Sequence, residues 1–213
     1  MNPADYDAWY HTARGRWIGE TEYALAARAL AARPGDSLLD VGCGTGWFTR
    51  RAAADGLVAT GLDPNPVWLE YARAHSSPAL SWVEGDARAL PFADASFDHV
   101  LSIAALCFID DERRAVAEAV RVARRRFAIG WLNRASLLYG QKGRHGGSGA
   151  YRGARWHTAR EVRALFAGLP VRNLTLRSAI FLPSGTRGAA WLERSLPNVL
   201  PWGGMLLATG EKS

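Results

Sequence analysis

Three acids and one run of glycines carry the clearest chemical signal in this chain. Asp40 stands before Gly42-x-Gly44-x-Gly46 in DVGCGTG, Asp63 lies in GLDPNP, and Asp86 lies in EGDARALPF. Gly42 and Gly44 have no Cβ, so a ligand can touch the backbone there and positive φ costs little. A phosphate would suit a helix start behind such a turn. The spacing argues otherwise, because it departs from the dinucleotide pattern G-x-G-x-x-G. The Lys-Ser or Lys-Thr pair of a phosphate loop is also missing, since Trp47 follows Gly46. An acid beside the turn repels a pyrophosphate and suits a cation or an ammonium group.

Asp63 falls about 20 residues beyond the glycines, the offset at which a carboxylate grips ribose hydroxyls. Charge-assisted hydrogen bonds of that kind contribute roughly 1.5–3 kcal/mol. Its other natural role is to cap the next helix, and Asn65 already fills that place. Asp86 could accept the amino proton of an adenine while Ala87 offers its backbone N–H to a ring nitrogen. Alone, Asp86 would be an ordinary loop acid; as the third acid at a third successive strand end it gains meaning. A glycine turn, a ribose acid and an adenine acid, with nothing for phosphates, describe an adenosine that carries a positive group.

The elements that must position these residues follow from local pattern. ETEYALAARALAA (20–32) reads as a helix stopped by Pro34-Gly35, and SLLDV (37–41) as a short apolar strand. A helix over 47–56 closes at Gly56, and a strand over 57–63 follows. Asn65-Pro66 provides a cap and a first-turn proline for a helix over 66–75. Strands are expected over 79–86 and 97–103, a helix over 111–123 and a strand over 125–132. Thr158 and Glu161 have capping-box spacing at the head of a helix over 158–168. Strands over 170–177 and 203–212 end the pattern. Strands alternating with helices predict an α/β fold, a Rossmann-like doubly wound sheet of seven mostly parallel strands. The last two strands, with no clear helix between them, are expected to pair antiparallel at one edge.

Residues 133–157 form a long, glycine-rich, basic stretch, and loops of that length are usually functional or disordered. Residues 178–202 read as a short helical excursion over the sheet edge. We expect a single domain over 1–213, with cap helices over 1–33 and substrate-side insertions at 133–157 and 178–202. The 213 residues include 48% hydrophobic ones, enough for a sizeable core. No apolar run approaches the ~20 residues of a membrane span, and the opening residues have no apolar signal core. The two cysteines, Cys43 and Cys107, suit a reducing compartment. A cytoplasmic protein is expected, with no metal site, since no Cys and His cluster at ligand spacing. The net charge is +6, and residues 119–160 hold ten Lys or Arg without an acid. That run is read first as solvated surface and second as a face for acidic partners.

LLDVGCGTG, GLDPNP and EGDARALPFADASFDHVLS resemble, in order, the motifs of class I S-adenosylmethionine-dependent methyltransferases. The chain is most similar to the type 11 group, which includes ubiquinone and menaquinone biosynthesis enzymes. The likeness is strong over residues 37–130, and GGMLLATGEK resembles the family's closing edge strand. It implies S-adenosyl-L-methionine as donor and S-adenosyl-L-homocysteine as product. It also implies Asp40, Gly42 and Gly44 around the methionine part, Asp63 at the ribose with Pro64 beside the adenine, Asp86 and Ala87 at the adenine edge, and Ile103 packed nearby. The N-terminal YDAWYHTARGRWIGETE resembles a segment that folds over the cofactor in relatives. Tyr10 and Arg16 are its candidates, Arg16 for the methionine carboxylate.

Methyl transfer from a sulfonium is an in-line displacement with an activated leaving group. Alignment and exclusion of water are the main requirements, and a base is needed only if the nucleophile must lose a proton. No catalytic residue is evident. His11, His145, Tyr151 and His157 are candidate bases or substrate contacts. Cys107 reads as a small buried residue, and Trp131, Trp156, Trp191 and Trp202 as core or as walls of an apolar pocket. The acceptor expected is a small molecule. RNA or protein methylation ranks below it because no RNA-binding appendage is recognisable. A non-catalytic cofactor-binding protein is the remaining alternative, and a nicotinamide dehydrogenase is disfavoured by the glycine spacing. Acceptor atom and oligomeric state are not written in these motifs.

Overall fold

The structure, a computed structural model, describes residues 2–213. Two helices come first, α1 (Pro3–His11) and α2 (Ala13–Leu30). Asn2 caps α1 with proline behind it, and the Thr12 hydroxyl caps α2 by accepting from Gly15 N. α2 therefore begins well before residue 20 and ends at Leu30, where Ala31 turns left-handed at φ 47°.

The alternating body follows: β1 (Ser37–Val41), α3 (Trp47–Ala54), β2 (Val58–Asp63), α4 (Pro66–Ala74), β3 (Ser81–Glu84), β4 (Phe97–Ile103), α5 (Glu112–Val122) and β5 (Ala123–Leu132). The chain ends with α6 (Ala159–Leu165), β6 (Val171–Ala179), α7 (Arg187–Ser195) and β7 (Met205–Lys212). The Asn65 cap and the Thr158–Glu161 capping box both form.

The seven strands run in the order β3-β2-β1-β4-β5-β7-β6. β1 to β5 are parallel, and β7 lies antiparallel to both β5 and β6. The expected antiparallel pair thus forms at one edge, with β7 inserted inside and β6 outermost. The order reverses between β1 and β4, which opens a crevice beyond their carboxyl ends.

Period-two alternation divides the core between the two faces of the sheet. Leu38, Leu101, Ala128 and Leu207 face α2 and α3. Leu39, Val100, Ile129 and Leu206 face α5 and α6. The 133–157 stretch is not a free loop. Asn133 is fully buried and donates to the carbonyls of Pro201 and Gly203 at 2.8 and 2.7 Å. A bridge joins Asn133 to His157, and short helical turns occupy residues 139–151.

The excursion after β6 is held by a single acid. Ile180 has φ 67°, a costly setting for a β-branched residue. Glu193 of α7, almost fully buried, accepts from Ile180 N and Phe181 N, both at 2.9 Å. Truncation leaves two buried donors unpaired. Glu193→Ala should destabilise the fold by about 2–4 kcal/mol, read as a lower urea midpoint, and Glu193→Gln should recover part of the loss. An unchanged midpoint in the alanine variant would show that this clamp is dispensable.

Candidate cofactor and active site

The glycine turn is pinned to the end of the neighbouring strand. Gly42 N and Cys43 N both donate to the Leu62 carbonyl, at 2.7 and 3.0 Å. Gly44 N donates to Asp63 Oδ2 at 2.9 Å. Gly42 takes φ +75°, and a Cβ there would collide with the Ala105 methyl after β4. Gly46 takes φ +81°, and a Cβ there would strike the Trp82 ring. Glycine at these two positions answers packing as well as ligand access.

Asp63 also accepts from Asn65 N at 3.0 Å through Oδ1. Each oxygen of an ionised carboxylate has a second lone pair, so both can still accept from a ligand. Burial raises the Asp63 carboxyl above its ordinary range, opposed by these backbone hydrogen bonds. Asp40 is different. It is 2% exposed and accepts from the Thr49 hydroxyl at 2.6 Å. Burial pushes it up to about 7. The acid before the glycines therefore lies inside β1, not on the open rim.

Asp86 does lie at the rim, just beyond β3, and holds a bidentate pair with the Arg88 guanidinium, its shortest contact 2.7 Å. That pair keeps its carboxyl below the ordinary range. Among the described residues no acceptor takes the Ala87 N–H. Ile103 is buried at the end of β4, and Ala104 behind it has φ 53°. Pro64 is exposed beside the rim. The Thr45 hydroxyl, inside the turn, is buried without a hydrogen-bond partner among the described residues.

α1 lies over this turn. Arg50 of α3 donates to the Thr45 carbonyl at 2.6 Å and to the buried Asp7 of α1 at 2.7 Å, tying helix to turn. Tyr10 is buried and stacks on Trp47 with centroids 4.7 Å apart. Tyr6 meets Trp68 edge-on at 5.0 Å, and Trp68 stands 3.3 Å from where a Gly44 Cβ would be. Arg16 is on the exposed side of α2. Sequence reasoning missed Asp7, Arg50 and Tyr6. The Asn2-Pro3 start of α1 is the same signal that marks α4.

The other candidates separate. His11 and His145 are exposed, and His11 pairs only with Asp7 among the described residues. His157 is fastened to the buried Glu112 at 2.9 Å, and Glu112 also receives Arg155 at 3.0 Å and the Trp131 indole N–H at 3.2 Å. That cluster closes the base of the 133–157 segment. Cys107 is fully buried, donates to the Ala104 carbonyl and is pushed up to about 12 by burial, which leaves it no role as a nucleophile. Trp131 and Trp156 are core, whereas Trp191 and Trp202 are 63% and 58% exposed; the four do not share one pocket.

Tyr6, Glu22, Asp63 and Tyr151 have a property in common. Each is partly exposed, and burial nevertheless raises the pKa of each. The four belong to α1, α2, the end of β2 and the 133–157 segment. Among the described residues no group of acids, His and Cys could hold a metal.

Comparisons with known proteins bear on this rim. Residues 39–126 match the family model described as a methyltransferase domain. A malonyl-(acyl-carrier protein) O-methyltransferase of Erwinia pyrifoliae is 44% identical over 95 residues, 44% of this chain and 36% of that protein. An uncharacterized protein of Mycobacterium tuberculosis is 36% identical over 192 residues, 85% of this chain and 62% of that one. The chain thus spans about one to two thirds of the length of these relatives. An S-adenosylmethionine-dependent methyltransferase of Thermotoga maritima has the same fold, with a TM-score of 0.76 at 23% identity over 99% of this chain and 95% of that one. Motif order, sheet topology and these likenesses agree: residues 39–126 are similar to a methyltransferase domain, and the chain has the fold of S-adenosylmethionine-dependent methyltransferases.

Proposed function

We propose that this protein transfers a methyl group from S-adenosylmethionine to a small-molecule acceptor by direct in-line displacement. The observation that carries the reading is the rim itself. Asp63 keeps lone pairs free beside the glycine turn, and the Ala87 N–H and Asp86 carboxylate wait at the next strand end. The residues fit an adenosine. Asp63 takes the ribose hydroxyls with Pro64 beside the base, and Asp86 and Ala87 take the adenine edge while Ile103 packs against it. Gly42 and Gly44 admit the methionine chain, Asp40 supplies negative charge behind the turn, and Tyr10 and Arg16 belong to the helices that cover it. When bound, the cofactor supplies a methyl group on a positively charged sulfur.

The chain's own contribution is alignment and exclusion of water. α1, α2 and residues 133–157 and 178–202 form the acceptor side of one domain over 1–213. Helix α1, tied over the glycine turn, suits a small acceptor better than a folded one. The Erwinia relative is named for methylating a malonyl thioester of a carrier protein, and a malonyl group is of the same size class.

A nucleic-acid acceptor is less well supported. Six of the ten basic residues in 119–160 are committed to ion pairs within the chain: Arg121, Arg124, Arg125, Arg126, Arg134 and Arg155. Few cations are left to track a phosphate backbone. No helix among the described residues is long and apolar enough to cross a membrane.

Two measurements test the donor site. In calorimetry, Asp63→Ala should weaken S-adenosylmethionine at least tenfold, and an unchanged affinity would remove the ribose assignment. Asp40 generates a pH dependence. Its folded carboxyl titrates near 7, and a cationic ligand prefers it ionised. Affinity for S-adenosylmethionine should therefore rise with pH across about 6–8 and flatten above. Asp40→Asn, which keeps an oxygen for the Thr49 hydroxyl, should lose that slope. A slope retained in the variant would assign it elsewhere.

A further inference from the structure

The antiparallel edge of the sheet is finished differently on its two faces. Val171, Leu174 and Leu176 of β6 pack into the core beneath α5 and α6. The same strand turns Thr175 and Arg177 to the α2 side, where both are exposed. On that side β7 changes from Met205 and Leu207, which are core, to Thr209 and Glu211. Period-two alternation puts these residues on one face, and the register sets Thr175 beside Thr209 and Arg126 of β5 beside Glu211. α2 walls this face with Leu25, Arg28 and Ala29 and leaves a groove of about 390 Å3. Arg126 and Glu211 pair near the start of β5, away from the carboxyl ends of the strands where the cofactor rim lies, and the groove shares no residue with that rim.

The polar groups of the groove hold one another in place. Arg126 donates to the Ala29 carbonyl at 3.3 Å and to one Glu211 oxygen at 3.0 Å. Asn173, left-handed at φ 54°, donates to the other Glu211 oxygen at 3.2 Å. Both oxygens of the one acid in the lining are therefore engaged. The Thr175 and Thr209 hydroxyls meet at 2.8 Å, and that bond uses one of their two protons and leaves the other to donate. Asn198 gives one amide proton to the Ser178 carbonyl at 3.1 Å and keeps its second. Arg28 and Arg177 are exposed and have no hydrogen bond or ion pair among the described residues. Three guanidinium groups against one carboxylate leave an excess of two positive charges in the lining. The groove is thus a set of spare donors around a volume in the range of small-molecule sites.

We propose that this groove between α2 and the β6–β7 edge binds a small phosphate monoester, at a second site apart from the cofactor rim. Its excess of two positive charges matches the dianion that a monoester becomes above its second pKa. The planar fork of a guanidinium fits two phosphate oxygens at once, and Arg28 and Arg177 have all their N–H groups to offer. The spare hydroxyl and amide protons of the Thr175–Thr209 pair and Asn198 serve the remaining oxygen. Leu25 and Ala29 give the α2 wall an apolar strip for the carbon body of the ester. A single carboxylate offers only two oxygens in one plane and leaves some of these donors unused. Occupancy of this groove does not depend on the methyltransferase reading, since the ligand and the place are both different.

The test titrates the full chain by calorimetry with glycerol 3-phosphate and ribose 5-phosphate, beside glycerol, ribose, inorganic phosphate and succinate. The two monoesters should bind saturably and more tightly than inorganic phosphate or succinate, and the neutral polyols should not bind. Saturating S-adenosylhomocysteine should leave monoester affinity within about twofold, because the two sites share no residue. Arg28→Gln and Arg177→Gln, both at exposed positions, should each weaken the monoesters by about fivefold or more. Arg163→Gln takes the same charge from the exposed side of α6, on the other face of the sheet, and should leave affinity within about twofold. If a variant does not fold, the ranking of probes on the unmutated chain still decides the ligand class. No saturable monoester binding at millimolar concentrations, a preference for succinate, displacement by S-adenosylhomocysteine, or an equal loss in Arg163→Gln and Arg177→Gln would each overturn the proposal.

Discussion

The hydrogen bond from Gly44 N to the Asp63 carboxylate is the contact on which the rest of the site depends. It joins the turn after β1 to the end of β2 at the point where the turn must leave the sheet. The same turn is held by the Leu62 carbonyl through Gly42 N and Cys43 N. With three donors already directed at β2, the backbone has one way to go, and the start of α3 is fixed beside it. Asp63 thereby has two tasks. It fixes the turn through one set of lone pairs and keeps a second set for a ligand, and a carboxylate has enough acceptor sites for both.

Around that contact the acids divide by depth. Asp40 is sealed inside β1 with Thr49, Asp63 is half sheltered at the strand end, and Asp86 is open to solvent and shared with Arg88. Burial raises the first two and the arginine lowers the third. Three aspartates that look alike in a sequence are thus three different electrostatic groups. The deepest titrates near neutral pH, whereas the outermost is held ionised by its arginine.

Much of this was legible in the sequence where the cause is local. Asn65-Pro66 and Thr158 with Glu161 mark helix starts by contacts within one turn, and both form. Strand and helix alternation was enough for the sheet, because parallel strands require crossovers of that length. Nonlocal partners were not legible. The acidic partners of Arg124, Arg125, Arg126 and Arg134 are Asp98, Asp36, Glu211 and Glu161, each 26 or more residues away in the chain. Only the fold brings those charges together and turns an apparent basic face into a set of ion pairs. Cap helices were expected over 1–33, but the bounds of α1 were not read, because its helix is short and only weakly amphipathic, although its Asn2-Pro3 start was present. The depth of Asp40 could not be read either, since one strand residue looks like the next until the sheet is built.

Glu22 and Glu193 show why burial alone does not assign a role. Both are glutamates on helices, α2 and α7, and burial bears on both. Glu193 accepts two backbone N–H groups, holds the left-handed turn at Ile180, and has nothing left to offer. Glu22 has no such donors among the described residues, and burial first, then the neighbouring Glu193, raises its carboxyl. Hydrogen-bond partners, not depth, therefore separate an acid that holds the chain in place from one that holds nothing.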